Sequence, residues 1–102
     1  ASLLVRARPA GPDGPLRERR IECERLGPEA PEPACRGLDA GQLRPVPRLR
    51  VCTSIYGGPA VARVTGTIAG ERVDARFNRR DGCEIARWDR NRALLGRPAQ
   101  RP

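Results

Sequence analysis

Residues 60–77 read Ala60-Val61-Ala62-Arg63-Val64-Thr65-Gly66-Thr67-Ile68-Ala69-Gly70-Glu71-Arg72-Val73-Asp74-Ala75-Arg76-Phe77. Ala60, Ala62, Val64, Gly66 and Ile68 alternate with Val61, Arg63, Thr65 and Thr67. In an extended chain, successive side chains point to opposite faces, so this spacing describes a strand with one buried face. Ala69-Gly70 then supplies a turn. Beyond it Val73, Ala75 and Phe77 alternate with Arg72, Asp74 and Arg76. Two alternating runs joined by a short glycine-containing turn predict an antiparallel hairpin, with Val73, Ala75 and Phe77 directed into the core.

Residues 2–8 form a second alternating run, with Leu3, Val5 and Ala7 on one face. A Gly/Pro turn over residues 9–15 leads to a strand over residues 16–23, where Arg19, Ile21 and Cys23 share a side. Residues 27–33 are punctuated by Pro28, Pro31 and Pro33 and read as a loop. Ala34, Cys35 and Leu38, followed by Leu43, have helical spacing, and Pro33 suits a first helical position, where a missing amide costs little. The helix is therefore expected over residues 34–43, although Gly37 and Gly41 weaken it. Pro45-Val46-Pro47 ends it and begins an extended run to Val51. Residues 78–82 form a polar turn. Residues 83–88 suit either strand or helix, and residues 89–95 suit a turn of helix. One domain is expected over residues 1–96, followed by a disordered tail at 97–102.

The 102 residues include nine Leu, six Val and four Ile, but only Phe77, Tyr56 and Trp88 as aromatics. With 11 Gly and 11 Pro, the core is small and loops are many. Such domains often rely on covalent staples. Cys23, Cys35, Cys52 and Cys83 can supply two, in any of three pairings. No Cys-x-x-Cys and no His is present, which argues against a structural zinc site. Disulfides imply an oxidising compartment and a secreted protein. No stretch is apolar enough to span a membrane. The start at Ala1 fits a mature or trimmed chain.

The net charge is +8, with all 20 basic residues Arg. Such a charge raises nucleic acid as a partner. The arginines are scattered along the chain and interleaved with 12 carboxylates, and three aromatics make a poor stacking platform. A solvated charged surface is the simpler reading. Without His or Lys, neither a Ser-His triad nor a Lys nucleophile can be built, so an enzyme is not expected. No cofactor and no metal are expected either.

Residues 51–59 (Val51-Cys52-Thr53-Ser54-Ile55-Tyr56-Gly57-Gly58-Pro59) stand out. Cys52 can tie one end to the body, and the glycines and proline turn the chain at the other. A segment held at both ends and exposed between them is what a protease reads as substrate. The order Cys52, Tyr56, Pro59, then the glycine-turned hairpin, Phe77 and Asp81-Gly82-Cys83, resembles the Streptomyces subtilisin inhibitor family. The upstream pair Cys23 and Cys35, the latter in Pro33-Ala34-Cys35-Arg36-Gly37-Leu38, fits the same pattern. The resemblance spans roughly residues 2–88. The second glycine between Tyr56 and Pro59 departs from it, as does the small polar Ser54 where Met or Lys is common.

That resemblance implies disulfides Cys23–Cys35 and Cys52–Cys83. It implies a scissile bond Ser54–Ile55, with Ser54 as P1 (the residue entering the protease's primary pocket), Thr53 as P2 and Val51 as P4. It further implies an α+β fold of about five antiparallel strands with one or two short helices, in a secreted homodimer. The expected function is inhibition of an extracellular serine protease, subtilisin-like first and elastase-like second, through Val51, Cys52, Thr53, Ser54, Ile55, Tyr56 and Gly57. A secreted non-inhibitory binding module on the same scaffold, or an Arg-rich nucleic-acid-binding protein, is the alternative. Tyr56 reads equally as a half-buried aromatic or as a support beside the bond. Trp88 reads as core, and Asp39 and Glu84 as surface charges.

Overall fold

A computed structural model describes residues 1–98; most of the expected tail lies outside the described residues. Four antiparallel strands form one sheet: β1 (Ser2–Arg8), β2 (Arg17–Glu22), β3 (Val61–Ile68) and β4 (Glu71–Phe77), in the order β2-β1-β3-β4. The predicted hairpin is β3–β4, in the register Val64↔Ala75 and Ala62↔Phe77. Its turn places Ala69 at φ 51° and Gly70 at φ 82°. Two successive left-handed residues match the right-handed twist of the flanking strands, which ordinary turns would splay. β1 lies between β2 and β3, pairing Val5 with Arg19 on one side and Val64 on the other.

The faces follow the alternation. Leu3, Val5, Ala7, Ile21, Ala62, Val64, Ala75 and Phe77 are buried, and Val73 packs partly buried against them. The opposite wall comes from the helices α1 (Pro33–Arg36), α2 (Gly82–Arg90) and α3 (Arg92–Leu95), and from a 3-10 turn over Ala40–Leu43. Trp88 is fully buried, and its indole N–H donates to Gly96 O at 3.1 Å. Each large side chain sealed here contributes about 1.5–3 kcal/mol from apolar burial. Cys23–Cys35 ties the end of β2 to α1, and Cys52–Cys83 ties the long β2–β3 connection to α2. Among the described residues, no helix is long and apolar enough to cross a membrane.

The α+β class and the two disulfides are as expected; the strand count is four where about five were expected, and three short α-helices stand where one or two were expected. No strand forms at residues 45–51. Pro45 and Pro47 have no amide to give a ladder, and Arg50 N donates to Pro47 O, closing a turn at Arg48 and Leu49. The expected helix over residues 34–43 divides at Gly37. Asp39 then starts the 3-10 turn by accepting from Gly41 N at 3.0 Å. Residues 83–88 resolve as helix because Asp81 caps α2, its carboxylate accepting from Glu84 N at 2.9 Å.

Arg87, on α2, is 3% exposed. Its guanidinium donates to Arg44 O (2.8 Å), Leu43 O (2.7 Å) and Arg76 O (2.6 Å), and lies 3.9 Å from the centre of the Phe77 ring. Burial lowers its pKa, while Glu84 at 3.6 Å pulls it back up. Glu84 is therefore not the surface charge expected; its side chain is 20% exposed. One carboxylate oxygen receives Asn78 Nδ2 at 3.3 Å, and the other faces Arg87.

Candidate functional site

The connection from Val51 to Pro59 has no regular secondary structure and lies along the β4–α2 corner. Cys52, half-buried, is fixed to Cys83 in the first turn of α2, with Cα atoms 5.4 Å apart. Next to it, Gly82 N donates to Thr53 O at 2.9 Å. Gly82 is required there by space. A Cβ at this position would overlap Thr53 Oγ1 and lie 3.2 Å from Thr53 Cβ.

The far end is held by Arg79. Its carbonyl accepts from Gly57 N at 2.7 Å, and its Nε donates back to Gly57 O at 3.1 Å. The Arg79 side chain, 11% exposed, is itself held by Asp89 (2.9 Å) and lies 5.9 Å from the Trp88 ring centre. Hydrogen bonds from Arg79, and secondarily from Arg92, keep the Asp89 carboxyl below its usual range despite some desolvation.

Between these two anchors lie Ser54, Ile55 and Tyr56. Their main-chain N–H and C=O groups make no intramolecular hydrogen bonds among the described residues. All three are exposed, Ile55 by 61% and Tyr56 by 57%. Tyr56 thus projects outward and is not a core aromatic. Val51, three residues before Ser54, is 95% exposed. Free main-chain groups on a side-chain-exposing segment can pair with another chain in strand fashion, with pockets selecting alternate side chains. The structure thus gathers every expected loop residue into one strip, stapled at Cys52 and clamped at Gly57.

Neither Arg79 nor Gly82, both in the expected polar turn, was expected to brace the loop. Asp81 followed three residues later by Glu84 is a helix-start signal, and it would have placed Gly82 at the helix entrance. For Arg79 no local signal exists. Asp81 lies near Cys52 and Cys83. Both sulfurs are committed to the disulfide, which leaves no thiolate for a metal. No protein-family model, curated protein or solved structure matches this chain.

Proposed function

We propose that this chain inhibits serine proteases of the subtilisin class by offering residues 51–57 as a braced substrate, with Ser54–Ile55 as the scissile bond. The reading places it in the Streptomyces subtilisin inhibitor family and outside the cell, where its disulfides persist. One observation carries it: Ser54, Ile55 and Tyr56 are exposed with free main-chain groups, while their neighbours on both sides are tied to the body.

A flexible peptide loses about 0.5–1.5 kcal/mol for each side chain immobilised on binding, and more for its backbone. The disulfide, the Gly82–Thr53 bond and the Arg79 clamp have ordered this segment beforehand. If the protease cuts after Ser54, Cys52 keeps the new carboxyl end on α2, and Arg79 keeps the new amine end on the corner. The ends then stay close, and re-formation of the bond competes with release. Ser54 is too small and uncharged for a pocket that needs a cation. Val51 supplies an apolar side chain for an outer pocket, which suits an enzyme drawing affinity from several subsites.

Titration of subtilisin with the purified protein tests the proposal. The expected result is loss of activity that ends at one equivalent, with slow cleavage after Ser54 detected by mass spectrometry. Full protease activity at equimolar protein, or cleavage only at other bonds, rejects it and leaves the non-inhibitory module.

A further inference from the structure

The sheet has a second face, turned away from the helices, and the arginines that looked scattered in sequence meet on it. Arg6 stands directly opposite Arg63, and Arg63 directly opposite Arg76, so three adjacent strands present arginine in one transverse row. Arg8 extends β1 one step beyond that row, and Arg80 follows β4. All five border one open depression of about 400 Å³. Glu18 pairs with Arg6 at 2.8 Å, and Asp74 takes Arg63 in a two-pronged bond at 2.9 and 2.7 Å. Among the described residues, no carboxylate lies within ion-pair distance of Arg8, Arg76 or Arg80. Arg8 donates to Gly14 O.

Like charges directly opposite on neighbouring strands oppose folding. Glu18, directly opposite Arg6 in the same row, and Asp74 offset Arg6 and Arg63. Arg76, with Arg8 and Arg80 beside the row, is left without a carboxylate partner among the described residues. A charge kept without local compensation is the kind of break that concentrates at functional positions. Planar guanidinium groups match phosphate oxygens in two-pronged fashion. Arg8, Arg76 and Arg80 present cations free of carboxylates around one depression, with the ion-paired Arg6 and Arg63 beside them. The depression contains Leu16 and Phe77 but no Trp or Tyr, and Phe77 is 2% exposed, so no ring is free to stack on a base. A second copy would meet the same face with its own arginines, since a two-fold interface is self-complementary.

We propose that this arginine row binds a linear phosphate polyanion, recognised by charge and not by bases. The site is separate from the protease-facing loop and does not rest on the inhibitory reading.

Isothermal titration of the intact protein with medium-chain inorganic polyphosphate is the test. The expected parent behaviour is affinity that falls steeply with salt, through counterion release. Arg76→Glu with Arg80→Glu should weaken binding at least tenfold and reduce the slope of log K against log salt by about 1.4–1.8. Arg25→Glu with Arg90→Glu changes the net charge equally, away from the row, and should retain most of the affinity. Arg8→Gln with Arg76→Gln, a milder pair, should weaken binding in the same direction if the first pair folds poorly. Equal losses in the row and control pairs would reduce the effect to net charge and overturn the site. Tighter binding of single-stranded DNA than of polyphosphate would overturn the occupant. A dimer dissociated by the Arg76/Arg80 pair would assign the face to a second copy instead.

Discussion

Two residues decide whether the strip at 51–57 is a clamp or merely a loop. Ser54 is exposed and makes no hydrogen bond that holds the fold, so Ser54→Leu should leave stability unchanged. In the proposed complex it carries extra apolar surface into the protease's primary pocket. At about 0.8 kcal/mol per buried methylene, inhibition of subtilisin should tighten about tenfold or more in a steady-state titration. No change would move the pocket-filling role away from Ser54. Gly82→Ala tests the other side of the same strip. The helix tolerates alanine in its first turn, yet the added Cβ runs into Thr53. Overpacking of this kind costs about 1–3 kcal/mol, and here lifting Thr53 from α2 is the route to relief. Inhibition should weaken about tenfold and cleavage after Ser54 should accelerate, with the circular dichroism spectrum kept. Unchanged inhibition would show that the Gly82–Thr53 contact does not brace the loop.

At the scale of elements, α2 joins loop to sheet through a charged residue turned inward. Arg87→Ala would strip partners from three main-chain carbonyls and leave Glu84 facing a void. Removing one partner of a buried ion pair destabilises by about 3–5 kcal/mol, and urea unfolding should show a loss of that order. A loss below about 1 kcal/mol would mean that water replaces the guanidinium. The same residue explains what the sequence hid. The β3–β4 hairpin was legible because alternation and Ala69-Gly70 are local signals, and β1 was legible for the same reason. α2 was ambiguous because Ile85 and Trp88 are sparse apolar marks in nine residues, and Arg87 looks like a surface residue until Leu43 and Arg44 are folded against it. The loop was legible from Cys52 and its glycines. Its clamp was not, since Arg79 reaches Gly57 across 22 residues of chain, a contact only the tertiary fold creates. The arginine row was hidden similarly: Arg6, Arg63 and Arg76 become neighbours only through strand register.

The whole molecule couples these elements to pH in a definite direction. It has no His, and all four Cys are in disulfides, so no side chain has an ordinary pKa between about 5 and 8. Thermal stability should be flat across that window. Asp89 titrates below it. Its folded pKa lies under the unfolded value of about 3.9, because Arg79 and Arg92 favour the carboxylate. A depressed folded pKa means stability that is fully present above about pH 4–5 and is lost as pH falls through the folded pKa. Protonation of the remaining carboxylates adds to a charge that is already +8, so self-repulsion acts in the same direction. Melting temperature at low salt should therefore hold from pH 8 to pH 5 and drop below about pH 4. Asp89→Asn should melt lower at pH 7 and show a shallower acid drop, because its contribution is already missing. At pH 8 the same variant should be cut faster after Ser54, since an unanchored Arg79 releases Gly57. Parallel acid curves for parent and variant, with equal cutting rates, would show that Asp89 neither stabilises the corner nor holds the clamp.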